Sequence, residues 1–244
     1  MTHLIETDDL STAWAEAVSF LNGQPQYESW DLVVSIANPL LGRLAVRSAL
    51  DECLSTTNRQ SVATVANTVF PDHLWHTCVD RDSLYRRYIA MLPKLHRFSG
   101  NQRGLYFERL ISWPPKSGAP VNQLEAMIQR LDKQLKVANT KRFVYDLTVL
   151  SPEHDSFPIG FPCLAYVNVK LRHGKLCLLA HYRNHYFIAR AYGNYLGLSH
   201  LQEYIASAVG IGCGPLVCVS AHATLDGPRG PILRLVSDPS FTVG

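Results

Sequence analysis

The spacing of apolar positions changes character along this chain. Up to about residue 141 it is mostly helical, and from Arg142 onward it shortens to the alternation of strands. Thr12 to Leu21 carries apolar residues at helical intervals and is stopped by Asn22-Gly23. Leu32-Val33-Val34-Ser35-Ile36 reads as a short buried strand ending at Asn38-Pro39. Helices are expected over Arg43 to Leu54 and Ser61 to Val69, and another, capped by Asp82-Ser83, to about Leu92. Trp113 to Pro120 is the clearest loop. After it Asn122 caps a further helix, with Glu125 in the capping-box position and Leu124, Ile128, Leu131 and Leu135 as its apolar stripe.

Phe143 to Leu150, Cys163 to Leu171, Lys175 to Tyr182 and Leu216 to Ser220 read as strands, with His173-Gly174 turning the second into the third. Tyr195 to Val209 is apolar or small on most faces, as a helix buried in a core would be. The pattern predicts one α+β domain over residues 1–244: helices first, then a largely antiparallel sheet wrapped on a buried helix.

Composition narrows the class of function. The 244 residues suffice for one sizeable core, and no run approaches the roughly 18 apolar residues of a membrane span. Met1 to Leu10 is polar and acidic without a signal-peptide core, so the cytoplasm is the expected compartment. A net charge of +3 suits small anionic ligands and falls short of a nucleic-acid footprint. The cluster Arg81, Arg86 and Arg87 reads as a solvated helix face. The six cysteines form no C-x-x-C pair and are expected as free thiols, and His73, His76 and Cys78 lack a second ligand cluster.

The chemistry concentrates in one stretch. Cys163 follows Phe161-Pro162, Arg183 comes twenty positions later, and Asn194 stands thirty-one after the cysteine. Taken alone, Cys163 is a small core hydrophobe. Together with the Leu171 to Leu176 hairpin, Tyr182-Arg183 and Gly193-Asn194, it resembles the catalytic core of the thymidylate synthase superfamily without a gap. The likeness continues through Leu198 to Ile205 and Gly214 to His222, and a fainter one runs back through Tyr106 to Trp113, Asn122 to Leu131 and Thr140 to Arg142.

The resemblance implies a thymidylate-synthase-like fold and a thiolate, Cys163, that adds to C6 of a pyrimidine and makes C5 a carbon nucleophile. It implies that Arg183 binds the 5′-phosphate and steadies the thiolate, that Asn194 reads the base and that His222 contacts the ribose. Lys141 and Arg142 would reach across a homodimer to complete the partner's phosphate site. Several positions depart from the family. Leu164 stands where a histidine follows the nucleophile, Asn184 replaces a serine that contacts phosphate, Tyr186 replaces the folate-binding aspartate and Thr224 a sugar-side tyrosine. The early phosphate arginine has no counterpart before Trp30, and Arg43 is the substitute. Thr64 falls where the proton-relaying glutamate belongs, which leaves Glu108 as the alternative carboxylate.

The implied activity is one-carbon transfer, hydroxymethylation or methylation, to C5 of a pyrimidine nucleoside 5′-monophosphate, with 5,10-methylenetetrahydrofolate as the donor. A catalytically diverged nucleotide-binding protein of the same fold is the alternative.

Overall fold

Local capping chemistry sets the first elements. The computed structural model describes residues 2–113, 115, 117–143, 145–156 and 160–237, and begins with β1 (His3–Thr7) and α1 (Leu10–Asn22). Asp9 starts α1 by accepting from the amides of Ser11 and Thr12 at 2.8 and 3.0 Å, which satisfies two otherwise orphaned donors. β2 (Glu28–Ile36), α2 (Leu44–Thr56), α3 (Val62–Val69) and α4 (Asp72–Trp75) follow, then α5 (Arg81–Leu95), α6 (Tyr106–Ile111) and α7 (Gln123–Leu135).

Two caps differ from expectation. Asp80, rather than Asp82-Ser83, caps α5, accepting from the Ser83 amide at 2.7 Å. Asn122 caps α7 as expected, accepting from Glu125 N at 2.9 Å, but the Glu125 carboxylate turns away to Arg81. Arg81 grips it through Nε and Nη2 at 2.9 and 3.0 Å, a fork that ties α5 to α7. The arginine cluster is therefore divided among partners, with Arg86 on Asp82 and Arg87 donating to the Thr77 carbonyl. Pro114 and Lys116 of the expected loop lie outside the described residues, while Trp113 and Val121 pair their backbones across its base.

The second half supplies β3 (Tyr145–Thr148), β4 (Leu164–Arg172), β5 (Lys175–Tyr182) and β6 (His185–Tyr186). A π-helical turn (Phe187–Ala191) leads into α8 (Tyr192–Ala208), followed by β7 (Gly212–Thr224) and α9 (Arg229–Ser237). Val144, in the strand expected from Phe143, lies outside the described residues. The sheet order is β1-β2-β7-β5-β4-β3. β2–β7, β5–β4 and β4–β3 are antiparallel, whereas β1–β2, β7–β5 and β6–β7 are parallel. The α+β class and the sheet built on a buried helix are as expected. β1 escapes the sequence pattern because its inward face holds one buried apolar residue, Ile5.

The β4–β5 hairpin turns through His173 and Gly174, both at positive φ (51° and 73°), which matches the twist of the flanking strands. One break matters more. β5 pairs with β7 as far as Tyr182↔Ser220, and β6 resumes in the same register at His185↔Ala223. Arg183 and Asn184 are the two residues released from that line.

Helix α8 is held tightly on both sides. Gln202 donates to the carbonyls of Leu176 and Gly214, both at 2.8 Å, which fastens it to β5 and to the start of β7. On its other side Gly193 and Gly197, one turn apart, admit α3. A Cβ on Gly197 would stand 2.5 Å from the Ala66 carbonyl and 2.8 Å from Val69 Cβ. Gly197→Ala should destabilise the fold by about 1–3 kcal/mol in urea unfolding, because overpacking outweighs the gain in helix propensity of about 1 kcal/mol. An unchanged or higher midpoint would show that α3 can retreat without cost. Among the described residues no helix is long and apolar enough to cross a membrane.

Candidate active site

The break between β5 and β6 opens onto a cleft of about 230 Å³. Its walls come from far-apart segments: Thr68 of α3, Tyr106 of α6, Phe161 and Cys163 before β4, Asn184 at the break, Arg190 on the π-turn and Asn194 on α8.

Cys163 sits half-buried at the entry to β4. Its carbonyl accepts from the Arg183 amide at 2.8 Å. The Arg183 guanidinium folds back on the same turn, with Nε and Nη2 donating to the Pro162 carbonyl at 3.1 and 2.7 Å. One residue thus pins both sides of the thiol's peptide while its charge stands beside the sulfur. Burial pushes the Cys163 thiol up, and Arg183 first and Arg190 second offset only part of that rise. The structure brings the expected thiol and amide into one cleft, while the Arg183 guanidinium, held on the Pro162 carbonyl, is not among the residues that line it.

Asn194 is 4% exposed at the cleft floor. Its Nδ2 lies 3.0 Å from His185 Nε2, and His185 Nδ1 lies 2.9 Å from Ser220 Oγ. In this amide orientation Asn194 donates to Nε2, and the Nδ1–H donates to the serine. Desolvation pushes the fully buried His185 down to about 3, so the ring is neutral. It stacks on Tyr182 with ring centres 4.1 Å apart. The amide is therefore held by a rigid ring, and among the described residues no donor reaches its Oδ1.

At the break, Asn184 Oδ1 lies 3.0 Å from His222 Nδ1, and His222 Nε2 pairs with Glu28 Oε2. Both ring nitrogens of His222 are engaged, and its ring lies against Trp30 with centres 4.5 Å apart.

Four of the expected site residues stand elsewhere. Glu108 lies at the start of α6, where its Oε2 accepts from the Leu105 amide at 3.2 Å and meets His96 Nε2 at 2.9 Å. It does not line the cleft, because it is occupied as the cap of its own helix. Arg43 begins α2 and turns toward α1, with Nη2 donating to Thr12 Oγ1 at 3.0 Å. It lines a separate depression with Asp8, Asp9 and Glu16, and so is no substitute within this cleft for the missing phosphate arginine. Lys141 and Arg142 are exposed, and the Arg142 carbonyl accepts from Leu171 near the far end of β4. At about 3.3 Å per residue, that places the pair roughly 26 Å along the strand from the thiol of their own chain.

Other residues in the cleft carried no usable sequence signal. Arg190 faces the thiol and is held by an Nη1 bond to Gln60 Oε1. Its position depends on the π-turn, whose extra residue per turn shifts side chains out of the helical phase read from sequence. Tyr106 stacks on Phe161, and its oxygen is hydrogen-bonded by the backbone at Leu164 and Cys163. On α3 the residues in the cleft are Val65 and Thr68. Thr64, one turn earlier, lines an adjoining cavity instead.

The buried imidazole makes stability depend on pH. Between about pH 6.5 and 3 the unfolded chain binds a proton that folded His185 refuses, so stability falls as pH drops through that window. From pH 7 to 5 the wild type should lose about 2 kcal/mol more than His185→Gln, measured by urea unfolding at each pH. Parallel losses in the two proteins would show that the ring titrates normally.

No family model matches the chain. Among curated proteins it resembles archaeal ones, each named "Putative thymidylate synthase". That of Methanosarcina mazei is 32% identical over 230 residues, 90% of this chain and 88% of the relative. That of Methanocaldococcus jannaschii is 32% identical over 127 residues, 50% of this chain and 55% of the relative. The Methanothermobacter thermautotrophicus protein is 29% identical over 144 residues, 54% of this chain and 63% of the relative. In these last two the match spans little more than half the relative's length, whereas the Methanosarcina match runs nearly end to end. That long alignment and the thiol–arginine–amide cleft agree: the chain belongs to the thymidylate synthase family, as a diverged member.

Proposed function

We propose that the chain is an enzyme that transfers a one-carbon unit to C5 of a pyrimidine nucleoside 5′-monophosphate. The observation that carries this reading is Cys163, half-buried between two arginines and sharing one cleft with the fixed amide of Asn194. A thiolate adds to C6, forming the S–C6 bond, and the C5–C6 electron pair moves to C5 and O4. C5 then bonds to the electrophilic carbon of a one-carbon donor, whose displaced electron pair stays with the donor's heteroatom, and C5 gives up its proton, after which the S–C6 bond breaks and restores the double bond and the thiolate. Asn194 offers an acceptor, Oδ1, for N3–H and a donor, Nδ2, for O4 of a uracil-type ring. Arg183, with Asn184 beside it, receives the phosphate. Two copies assemble as a homodimer in which Lys141 and Arg142 of each complete the partner's phosphate site.

The residues fit the nucleotide better than they fit a pterin. The cleft, of about 230 Å³, is small and lined by amide, hydroxyl and aromatic groups. Among the described residues that line it none is Asp or Glu, so the paired acceptors that a pterin's N–H groups require are missing, and Arg190 with Gln60 fills part of the wall. No step is therefore assigned to 5,10-methylenetetrahydrofolate. The same lack of a cleft carboxylate favours a second reading, a nucleotide-binding relative without transferase activity.

Tritium release separates the two readings. With 5-tritiated UMP, dUMP, CMP and dCMP, with and without methylenetetrahydrofolate, at least one should release label, and Cys163→Ala should abolish it. Mononucleotide binding with no release from any of the four leaves the second reading standing. Release that survives Cys163→Ala removes the nucleophile from this thiol.

The two cations are tested by alkylation. Because both pull the thiol down, Arg183→Gln and Arg190→Gln should each move the pH midpoint of iodoacetamide labelling of Cys163 upward. Labelling should slow severalfold near neutral pH. An unchanged midpoint in Arg190→Gln would remove that residue from thiolate stabilisation.

A further inference from the structure

We infer that Glu28 and Trp30 form a sugar subsite that selects ribonucleotides over 2′-deoxyribonucleotides, an inference that rests on the nucleotide reading above. The subsite is built across one strand pair. Glu28 faces Thr224 and Trp30 faces His222 in the β2–β7 register. Two-residue steps put His222 and Thr224 on the sheet face that carries Ser220, the residue that bonds His185 beneath Asn194. Asn184 lines the Cys163 cleft and bonds His222, so the subsite joins the cleft edge to edge.

The chemistry of this corner points to hydroxyl groups. His222 is fully engaged, with Nδ1 on Asn184 and Nε2 on Glu28, so it acts as a positioning residue and the open groups are its neighbours. Glu28 spends Oε2 on His222. Among the described residues no donor reaches its Oε1, and its side chain is 31% exposed. An ionised carboxylate accepts hydrogen bonds and donates none, so it attracts sugar hydroxyls and repels a phosphate. Trp30 stands beside it at 66% exposure, a large apolar face that the core does not use. Both residues also wall an open depression of about 580 Å³, which gives the subsite access to solvent. An indole face for the sugar's C–H side and a carboxylate for neighbouring hydroxyls suit a cis-diol. A deoxy sugar leaves the carboxylate one hydrogen bond short, and hydrogen bonds to charged groups are among the stronger ones.

The test is calorimetric titration of the full chain with UMP, CMP and their 2′-deoxy and arabino counterparts. The ribonucleotide should bind at least about tenfold tighter than its deoxy and arabino forms, the factor expected of one charge-assisted bond. In Glu28→Gln that preference should fall to within about twofold, while Trp30→Ala should weaken all the sugars alike. Equal binding of ribo and deoxy forms, or a deoxy preference, overturns the subsite and leaves the nucleotide reading intact. Failure of every monophosphate to bind overturns the nucleotide reading itself. The wild-type comparison decides the matter even if Glu28→Gln does not fold.

Discussion

The site depends on a two-residue interruption in one line of strand pairing. β5 and β6 share a register on β7, and between them Arg183 and Asn184 leave the ladder. The Arg183 amide bonds the Cys163 carbonyl, one step beyond Leu164↔Tyr182 in the β4–β5 register, and its guanidinium takes the Pro162 carbonyl. Asn184, freed by the same break, reaches His222 on the neighbouring strand. A continuous strand would commit these backbone groups to the ladder and would alternate the side chains to opposite faces. The thiol, its cation and the sugar corner are thus placed by one departure from regular pairing.

That placement works only because the rest of the site is rigid. α8 carries Asn194, and the helix is fixed by Gln202 on one side and by the glycine contact with α3 on the other. His185 completes the arrangement from beneath. Its burial keeps it neutral, so it holds the Asn194 amide by geometry without adding charge to the cleft. Among the described residues the charge that acts on Cys163 comes from Arg183 and Arg190, and it offsets only part of a desolvation cost that raises the thiol. Among the described residues the lining holds one cation, Arg190, and no carboxylate, which suits an anionic ligand.

Much of this was legible in the chain. Periodicity located most helices, the β4–β5 turn and the buried α8, because those elements follow local pattern. The thiol, Arg183 and Asn194 were legible because they lie close in sequence on consecutive elements. What could not be read has two physical causes. The π-turn shifts Arg190 out of helical phase, so no period of 3.6 residues assigns it a direction. Glu108, Arg43 and Thr64 were assigned by residue type or alignment, yet their directions are set by tertiary packing. Glu108 is held by a helix cap, Arg43 by α1, and one turn of α3 separates Thr64 from Thr68, which lines the cleft. β1 was missed for a related reason. A short edge strand is defined by its partner rather than by its own apolar content.

The departures from the family pattern are coupled in space, although they look scattered in sequence. Thr224 has a smaller side chain than the expected tyrosine, and the residue opposite it in register is Glu28. Thr68 stands in the cleft in place of any carboxylate, while an acidic group appears instead at the His222 corner. Among the described residues, negative charge is thus missing from the cleft lining and present at the His222 corner. The two changes support one another. A carboxylate in the cleft would weaken the hold of Arg183 and Arg190 on the thiolate, whereas one paired to His222 at the rim is partly compensated and meets solvent. On the proposed function the divergence therefore reads as a redistribution of charge, with arginines beside the Cys163 thiol and a carboxylate at the His222 corner.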